Sequence, residues 1–110
     1  MLNAARDTVE RIITGRRPID EWAKIAIAVV DQIKDRAVSE EGLRYIGGKL
    51  KFAISRKRAD KVVISFELYF QDSNNEWQKI GADSDLFASC FTLEALDEIK
   101  SKGEVSFEVE

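Results

Sequence analysis

The chain has 110 residues, of which 45% are hydrophobic and 34% are charged, a composition typical of one packed, water-exposed domain. It contains no histidine and a single cysteine, which excludes a histidine general acid or base and an intrachain disulfide. We therefore expect one domain over residues 1–110 that binds rather than catalyses, with no metal and no cofactor.

The net charge of −3 is distributed unevenly along the chain. Residues 1–61 contain 14 basic and 9 acidic residues, whereas residues 62–110 contain 3 basic and 11 acidic residues. Two interpretations stay open. Either the two halves pack together and their charges interleave on one surface, or the second half presents an acidic face to a basic partner.

Two helices are predicted at the N-terminus. Apolar residues recur at helical spacing over residues 1–15, which predicts an amphipathic helix whose narrow apolar stripe favours loose docking. Pro18 suits the first position of a second helix, which we predict to end at Val38. Gly47 and Gly48 then indicate a flexible entry into the second half of the chain.

The second predicted helix is apolar over nearly its whole circumference between Trp22 and Val30. Such a helix is buried on more than one side, or it uses its surplus apolar surface to form a homodimer. In the second case the interface residues are Trp22, Ile25 and Ile27.

The second half alternates apolar and polar residues, as strands do. The alternation predicts strands over residues 49–55, 62–70 and 77–82, joined as a three-stranded antiparallel meander. It turns Phe66 toward the core and Glu67 toward solvent.

Thr92 is the predicted N-cap of a short helix that ends at Gly103, and residues 104–110 alternate as a final strand. The expected fold is α+β, with the element order ααβββαβ. Its antiparallel sheet of three to four strands is covered on one face by the long helix and the C-terminal helix.

The loop between the second and third strands decides where Trp77 lies. A five-residue loop places Gln71 beside Trp77 on the face opposite the core, whereas a register one residue different buries Trp77 beside Phe70. Both registers stay open. Exposed aromatic residues with an acidic rim are typical of protein interfaces. In the first register the candidate partner-binding residues are Tyr69, Trp77, Lys79, Asp83 and Asp85.

Two further patterns are compatible with specific chemistry. Asp83 and Asp85 are two residues apart, so on an extended segment both carboxylates point the same way and could share a divalent ion. So short a pattern is common by chance, and two surface aspartates in a loop are the favoured interpretation. The basic run at residues 56–58 could contact phosphates, but basic strand ends that protect a sheet edge explain it better, so we do not expect nucleic-acid binding.

We therefore expect a small acidic, non-catalytic protein-binding module that occludes a basic partner, as a bacterial immunity protein or inhibitor does. The alternative is a homodimeric structural or assembly subunit built on the apolar helix, and a third hypothesis is a metal-dependent enzyme that uses Asp83 and Asp85. The longest charge-free stretch of that helix, residues 25–30, is too short to span a membrane. The N-terminal residues lack the order of a secretory signal, so we expect a cytoplasmic protein.

Overall fold

The structure, a computed structural model, describes residues 15–110. It contains helix α1 (Ile19–Glu41), strands β1 (Arg44–Ile54), β2 (Lys61–Gln71) and β3 (Trp77–Phe87), a single 3₁₀ turn (Ala88–Cys90), helix α2 (Leu93–Lys102) and strand β4 (Val105–Val109). The first helix predicted from the sequence falls outside the described residues. No helix within residues 15–110 is long and apolar enough to cross a membrane.

The four strands form one antiparallel sheet in the order β3-β2-β1-β4. Strands β1, β2 and β3 are the predicted meander, and the chain then returns so that β4 pairs with β1. Strands β3 and β4 are therefore the two edges. The α+β class and the antiparallel sheet agree with the prediction from the sequence.

Helix α1 ends three residues later than predicted, at Glu41 rather than Val38. The residues between these positions are compatible with an exposed helical turn, and the first residue that favours another conformation is Gly42. Gly42 has a φ of 69°, and its N–H donates to the carbonyl oxygen of Ala37. A residue without Cβ adopts this left-handed conformation at little cost, so the helix stops there.

The core lies between the two helices and one face of the sheet, which we call the helix-covered face. Phe91, in the segment that connects the 3₁₀ turn to α2, is fully buried. Its ring centroid is 5.5 Å from that of Trp22 on α1 and 6.1 Å from that of Phe52 on β1. The largest fully buried side chains are Phe52, Phe70, Phe91, Leu50, Leu68, Ile99 and Val62.

Both helices lie mainly over β1 and β4. The other half of the helix-covered face, formed by β2 and β3, is therefore only partly covered. Phe66 points to this face, as predicted, but it is half-buried, and so are Ile64 and Ile80. The apolar excess that the sequence places on α1 and on the strands thus remains partly exposed between them.

Gly47 and Gly48 belong to β1, so the prediction of a flexible entry at this point is wrong. The pairing of β1 with β2 shifts between Tyr45 and Gly47, which leaves Ile46 as an extra residue in β1. Such a bulge bends the strand and increases its twist without ending it.

Gly48 is required because the chain is crowded on both sides of it. A Cβ at this position would lie 2.6 Å from the carbonyl oxygen of Glu67 and 2.9 Å from the hydroxyl oxygen of Tyr45. The Tyr45 ring crosses the strand here, and its hydroxyl donates a hydrogen bond to the carbonyl oxygen of Val109 in β4. Glycine therefore allows Tyr45 to connect β1 with the C-terminal strand.

We expect Gly48→Ala to lower the free energy of unfolding by about 1–3 kcal/mol, because the added methyl group meets a backbone carbonyl that the sheet holds in place. Gly47→Ala is the matched control, since a Cβ there meets nothing within 4 Å. The control should change stability by less than about 1 kcal/mol. Urea denaturation of the two variants provides the measurement, and equal losses would contradict the proposed crowding at Gly48.

Candidate partner-binding face

The second face of the sheet is not covered by either helix of the described chain, and we call it the open face. Its side chains alternate with those of the helix-covered face along every strand, and paired residues of neighbouring strands share a face. The open-face residues of β1, β2 and β3 are Arg44, Gly47, Lys49, Lys51, Ala53, Lys61, Val63, Ser65, Glu67, Tyr69, Gln71, Trp77, Lys79, Gly81, Asp83, Asp85 and Phe87.

Trp77 lies on the open face and is 64% exposed. Gln71 is paired with Trp77 and Tyr69 with Lys79, which is the register predicted from a five-residue loop. The alternative register is wrong: Phe70 is fully buried and pairs with Gln78 rather than with Trp77. Two aromatic side chains, Tyr69 and Trp77, therefore share a solvent-facing surface.

The loop that sets this register is held by one carboxylate. Asp72 accepts hydrogen bonds from the backbone N–H of Asn74 (2.8 Å) and Glu76 (3.0 Å) and from the side-chain amide of Gln78 (3.1 Å). The N–H of Glu76, followed by the Gln78 amide, keeps the pKa of Asp72 below its ordinary value. Asn75 supplies the positive φ, 62°, that the turn needs.

Glu67, Tyr69 and Lys79 form a small cluster on the open face. The Tyr69 hydroxyl donates a 2.8 Å hydrogen bond to Oε2 of Glu67, and Nζ of Lys79 lies 3.8 Å from Oε1. The hydrogen bond and then the charge of Lys79 hold the pKa of Glu67 below its ordinary value, while the same hydrogen bond raises the pKa of Tyr69. The cluster fixes the orientation of the Tyr69 ring beside β3.

Asp83 and Asp85 lie within β3, not in the loop predicted from the sequence, because the strand continues to Phe87. Both aspartates are exposed, and a carboxylate oxygen of Asp85 is 3.4 Å from Nζ of Lys61. Among the residues that the structure describes, no three histidines, cysteines, aspartates or glutamates are placed to hold a metal ion. Here the pair forms an exposed acidic stripe.

The charge separation seen along the chain is not kept in the sheet. Lys49 of β1 is paired with Glu67 of β2 on one side and with Glu108 of β4 on the other. The sheet order therefore places a basic strand between two strands of the acidic half. The charges of the two halves therefore interleave across β4, β1 and β2, whereas β3 carries Asp83 and Asp85 at the far side of the same face.

The residues predicted for a helix-based dimer differ in how they are used. Trp22 donates a 2.9 Å hydrogen bond from Nε1 to the carbonyl oxygen of Cys90 and packs on Phe91, so its ring is part of the fold. Ile27 is partly buried against the core, whereas Ile25 is 41% exposed. Ile25 is the member of this set that offers substantial free apolar surface.

An apolar groove with a volume of about 280 Å³ runs between α1 and the β2–β3 half of the helix-covered face. The sequence predicted surplus apolar surface on the helix, but not a groove. The position of the groove depends on which strands the helix covers, and no local sequence pattern encodes that. The lining of the groove includes Ile25, Val29, Ile64, Phe66, Ala82 and Leu86.

Phe87 is an exposed aromatic residue that sequence analysis did not find. It ends β3 on the open face and is 51% exposed. Nζ of Lys61 lies 4.8 Å from its ring centroid, and the guanidinium of Arg58 lies 5.8 Å away. It was missed because the predicted third strand ended at Ala82; had the strand been extended, the even spacing of Phe87 from Trp77 would have placed both on the same face.

Comparison of the chain with protein-family models, curated proteins and solved structures finds no match. The chemistry of the open face is therefore inferred from its geometry alone.

We expect Tyr69→Phe to raise the pKa of Glu67 toward its ordinary value of 4.5, because the hydrogen bond that stabilises the carboxylate is lost. NMR titration of the side-chain carboxyl groups measures this shift. The pKa of Asp72 depends on its own loop and serves as an internal control that should not move.

The lowered pKa of Glu67 also makes the stability of the fold depend on pH. The interactions of the Glu67 carboxylate stabilise the folded state fully above the ordinary pKa, and this stabilisation is lost as the pH falls through the lower, folded-state pKa. Tyr69→Phe should therefore weaken the loss of stability on acidification. An unchanged Glu67 titration in the variant would contradict the hydrogen bond.

Proposed function

We propose that this chain is a small, non-catalytic protein-binding module that holds a basic protein partner against the open face of its sheet. By covering the partner it blocks the partner's own functional surface, as a bacterial immunity protein or inhibitor does. The observation that supports this most is Trp77, which is 64% exposed although it lies in a regular strand.

The aromatic residues of the open face are suited to anchoring a partner. Tryptophan and tyrosine are among the residues that contribute most to protein interfaces. The backbone of Trp77 is held on a strand paired with β2 along its whole length, and the Tyr69 side chain is oriented by its hydrogen bond to Glu67. Groups that are already ordered in this way lose little conformational entropy on binding, which favours affinity.

The charges of the open face favour one orientation of the partner. Asp83 and Asp85 place negative charge along β3, while Lys49 and Lys51 place positive charge along β1. The Asp85 carboxylate forms an ion pair with Lys61, whereas Asp83 faces the uncharged Ser65 of β2 in the strand register. A basic segment of the partner would therefore lie over β3, and its acidic residues over β1.

A cytoplasmic location is part of this proposal. Cys90 is the single cysteine of the chain, is only partly exposed and has no intrachain disulfide partner. Such a thiol is typical of a reducing compartment.

A photo-crosslinking amino acid at position 77, in the chain expressed in its native host, identifies the partner protein. The same amino acid at Lys100, on the exposed side of α2, is the control position. Crosslinking to one protein from position 77 and not from position 100 is expected. Equal capture from both positions would show that contact at the open face is not specific.

With the purified partner, we expect Trp77→Ala and Asp83→Lys each to weaken binding by about 1–2 kcal/mol while the fold is retained. The charge reversal should act on the association rate and its salt dependence. Asp97→Lys makes the same charge change on an exposed position of α2 and should have no effect. Surface plasmon resonance at two salt concentrations measures all three variants, and unaltered binding by both open-face variants would reject the proposal.

A further inference from the structure

Within the residues that the structure describes, strand β3 is a long edge of the sheet that no other element covers. It has 11 residues, pairs with β2 without a bulge and contains no proline. The other edge, β4, has only five residues. Exposed edges of this length offer a row of unpaired backbone groups to another strand, and proteins that do not use them protect them by bulges, prolines, shortening or charged side chains. The charged side chains of β3 are Lys79, Asp83 and Asp85, which are of both signs and so permit pairing with a strand of complementary charge.

The hydrogen bonds at the two ends of the β2–β3 pair show which backbone groups of β3 are free. The N–H of Asp72 donates to the carbonyl of Glu76, and the N–H of Ala88 donates to the carbonyl of Asp60. Hydrogen-bonded pairs recur at every second residue of an antiparallel ladder, so the even-numbered residues of β3 bond to β2. The odd-numbered residues, from Trp77 to Phe87, direct their N–H and C=O groups toward the free edge.

The side chains of β3 are complementary to those of a second, antiparallel β3. When two copies overlap over the full length of the strand, the midpoint Ala82 lies on the two-fold axis, and residues equidistant from Ala82 face each other. Lys79 then faces Asp85 of the second copy, and Trp77 faces Phe87 of the second copy. Each pairing occurs twice, on the open face, between odd-numbered residues whose backbone groups are free.

The neighbouring symmetrical registers keep at most part of this complementarity. A two-fold axis at Asp83 places that aspartate opposite its own copy, which is repulsive. An axis at Gly81 keeps one kind of opposite-charge pair, Lys79 with Asp83, but it places Trp77 opposite Asp85 and removes the aromatic pair. Opposite charges and aromatic residues that face each other across strands stabilise a pair, so the full-overlap register is favoured.

We infer that two copies of this chain form a symmetrical dimer through β3, with Ala82 on the two-fold axis and one continuous eight-stranded sheet. Glu67 and Lys79 form an ion pair within one copy, as do Asp85 and Lys61 within the other. In the dimer Lys79 faces Asp85 of the second copy, so these four side chains form a row of alternating charge across the edge. We assign the free edge to a second copy of this chain because the side chains of two antiparallel β3 strands are complementary in charge and in aromatic character. The inference does not rest on the proposed function, since edge pairing leaves the open face uncovered.

A disulfide at the two-fold axis tests the register directly. In a Cys90→Ala background, Ala82→Cys should form a linked dimer under mild oxidation, because non-hydrogen-bonded antiparallel pairs bring Cα atoms to about 4.5 Å, within disulfide range. Ser84→Cys, on the same strand and face, is the matched control and should stay unlinked, since it lies opposite Ile80 of the second copy. No linkage at position 82, or equal linkage at both positions, would overturn the inference.

A charge exchange tests whether the edge drives association in solution. Lys79→Asp and Asp85→Lys each create two like-charge pairs across the edge, so each variant alone should dimerise about ten-fold more weakly or worse, the equivalent of 1.4 kcal/mol. An equimolar mixture of the two restores opposite charges at both positions and should recover the dimer as a heterodimer.

Sedimentation velocity over a concentration series measures this association without any partner protein. Glu108 lies on the open face of β4, the edge strand farthest from β3, so Glu108→Lys is the control and should dimerise like the wild type. The recovery in the mixture also shows that both variants are folded, because an unfolded chain has no edge to pair. A wild type that stays monomeric at all concentrations, or a mixture that does not recover, would overturn the inference.

Discussion

The loop closed by Asp72 determines the orientation of every side chain on β3. Because strand side chains alternate between faces, a loop longer or shorter by one residue would turn Trp77 into the core and the apolar residues of β3 into water. Two backbone N–H groups and the Gln78 amide donate to a single carboxylate and hold the loop at five residues. The exposed aromatic residues of the open face and the self-complementarity of the β3 edge both depend on this contact.

The position of α1 decides what remains exposed on the other side of the sheet. Trp22 and Phe91 anchor the start of α1, and Lys34, later in the helix, donates a 2.6 Å hydrogen bond to the carbonyl of Glu110 beside β4. These contacts hold α1 over β1 and β4, away from β3. The β3 edge is therefore free of any helix in the described part of the chain, and the groove beside Ile25 follows from the same placement.

The two proposals use the same strand in different ways. The protein-binding proposal uses side chains of β3 that point out from the open face, whereas the dimer uses backbone groups in the plane of the sheet. In the dimer the acidic stripes of both copies meet at the centre, and Trp77 lies beside Phe87 on the same surface. Two partner sites would then be related by the two-fold axis, so a dimer could bind two copies of a partner.

Local sequence patterns determined the elements within the described residues and reduced the β2–β3 register to two choices. Alternation identified the strands, Thr92 accepts the predicted capping hydrogen bond from Ala95, and loop length placed Trp77 opposite Gln71 in one of two predicted registers. The tertiary structure alone decided three things: the insertion of β1 between acidic strands, the extension of β3 through Asp83 and Asp85, and the placement of α1. Each depends on contacts between residues far apart in the chain. Aspartate has a low intrinsic preference for strands, and pairing with β2 overrides it.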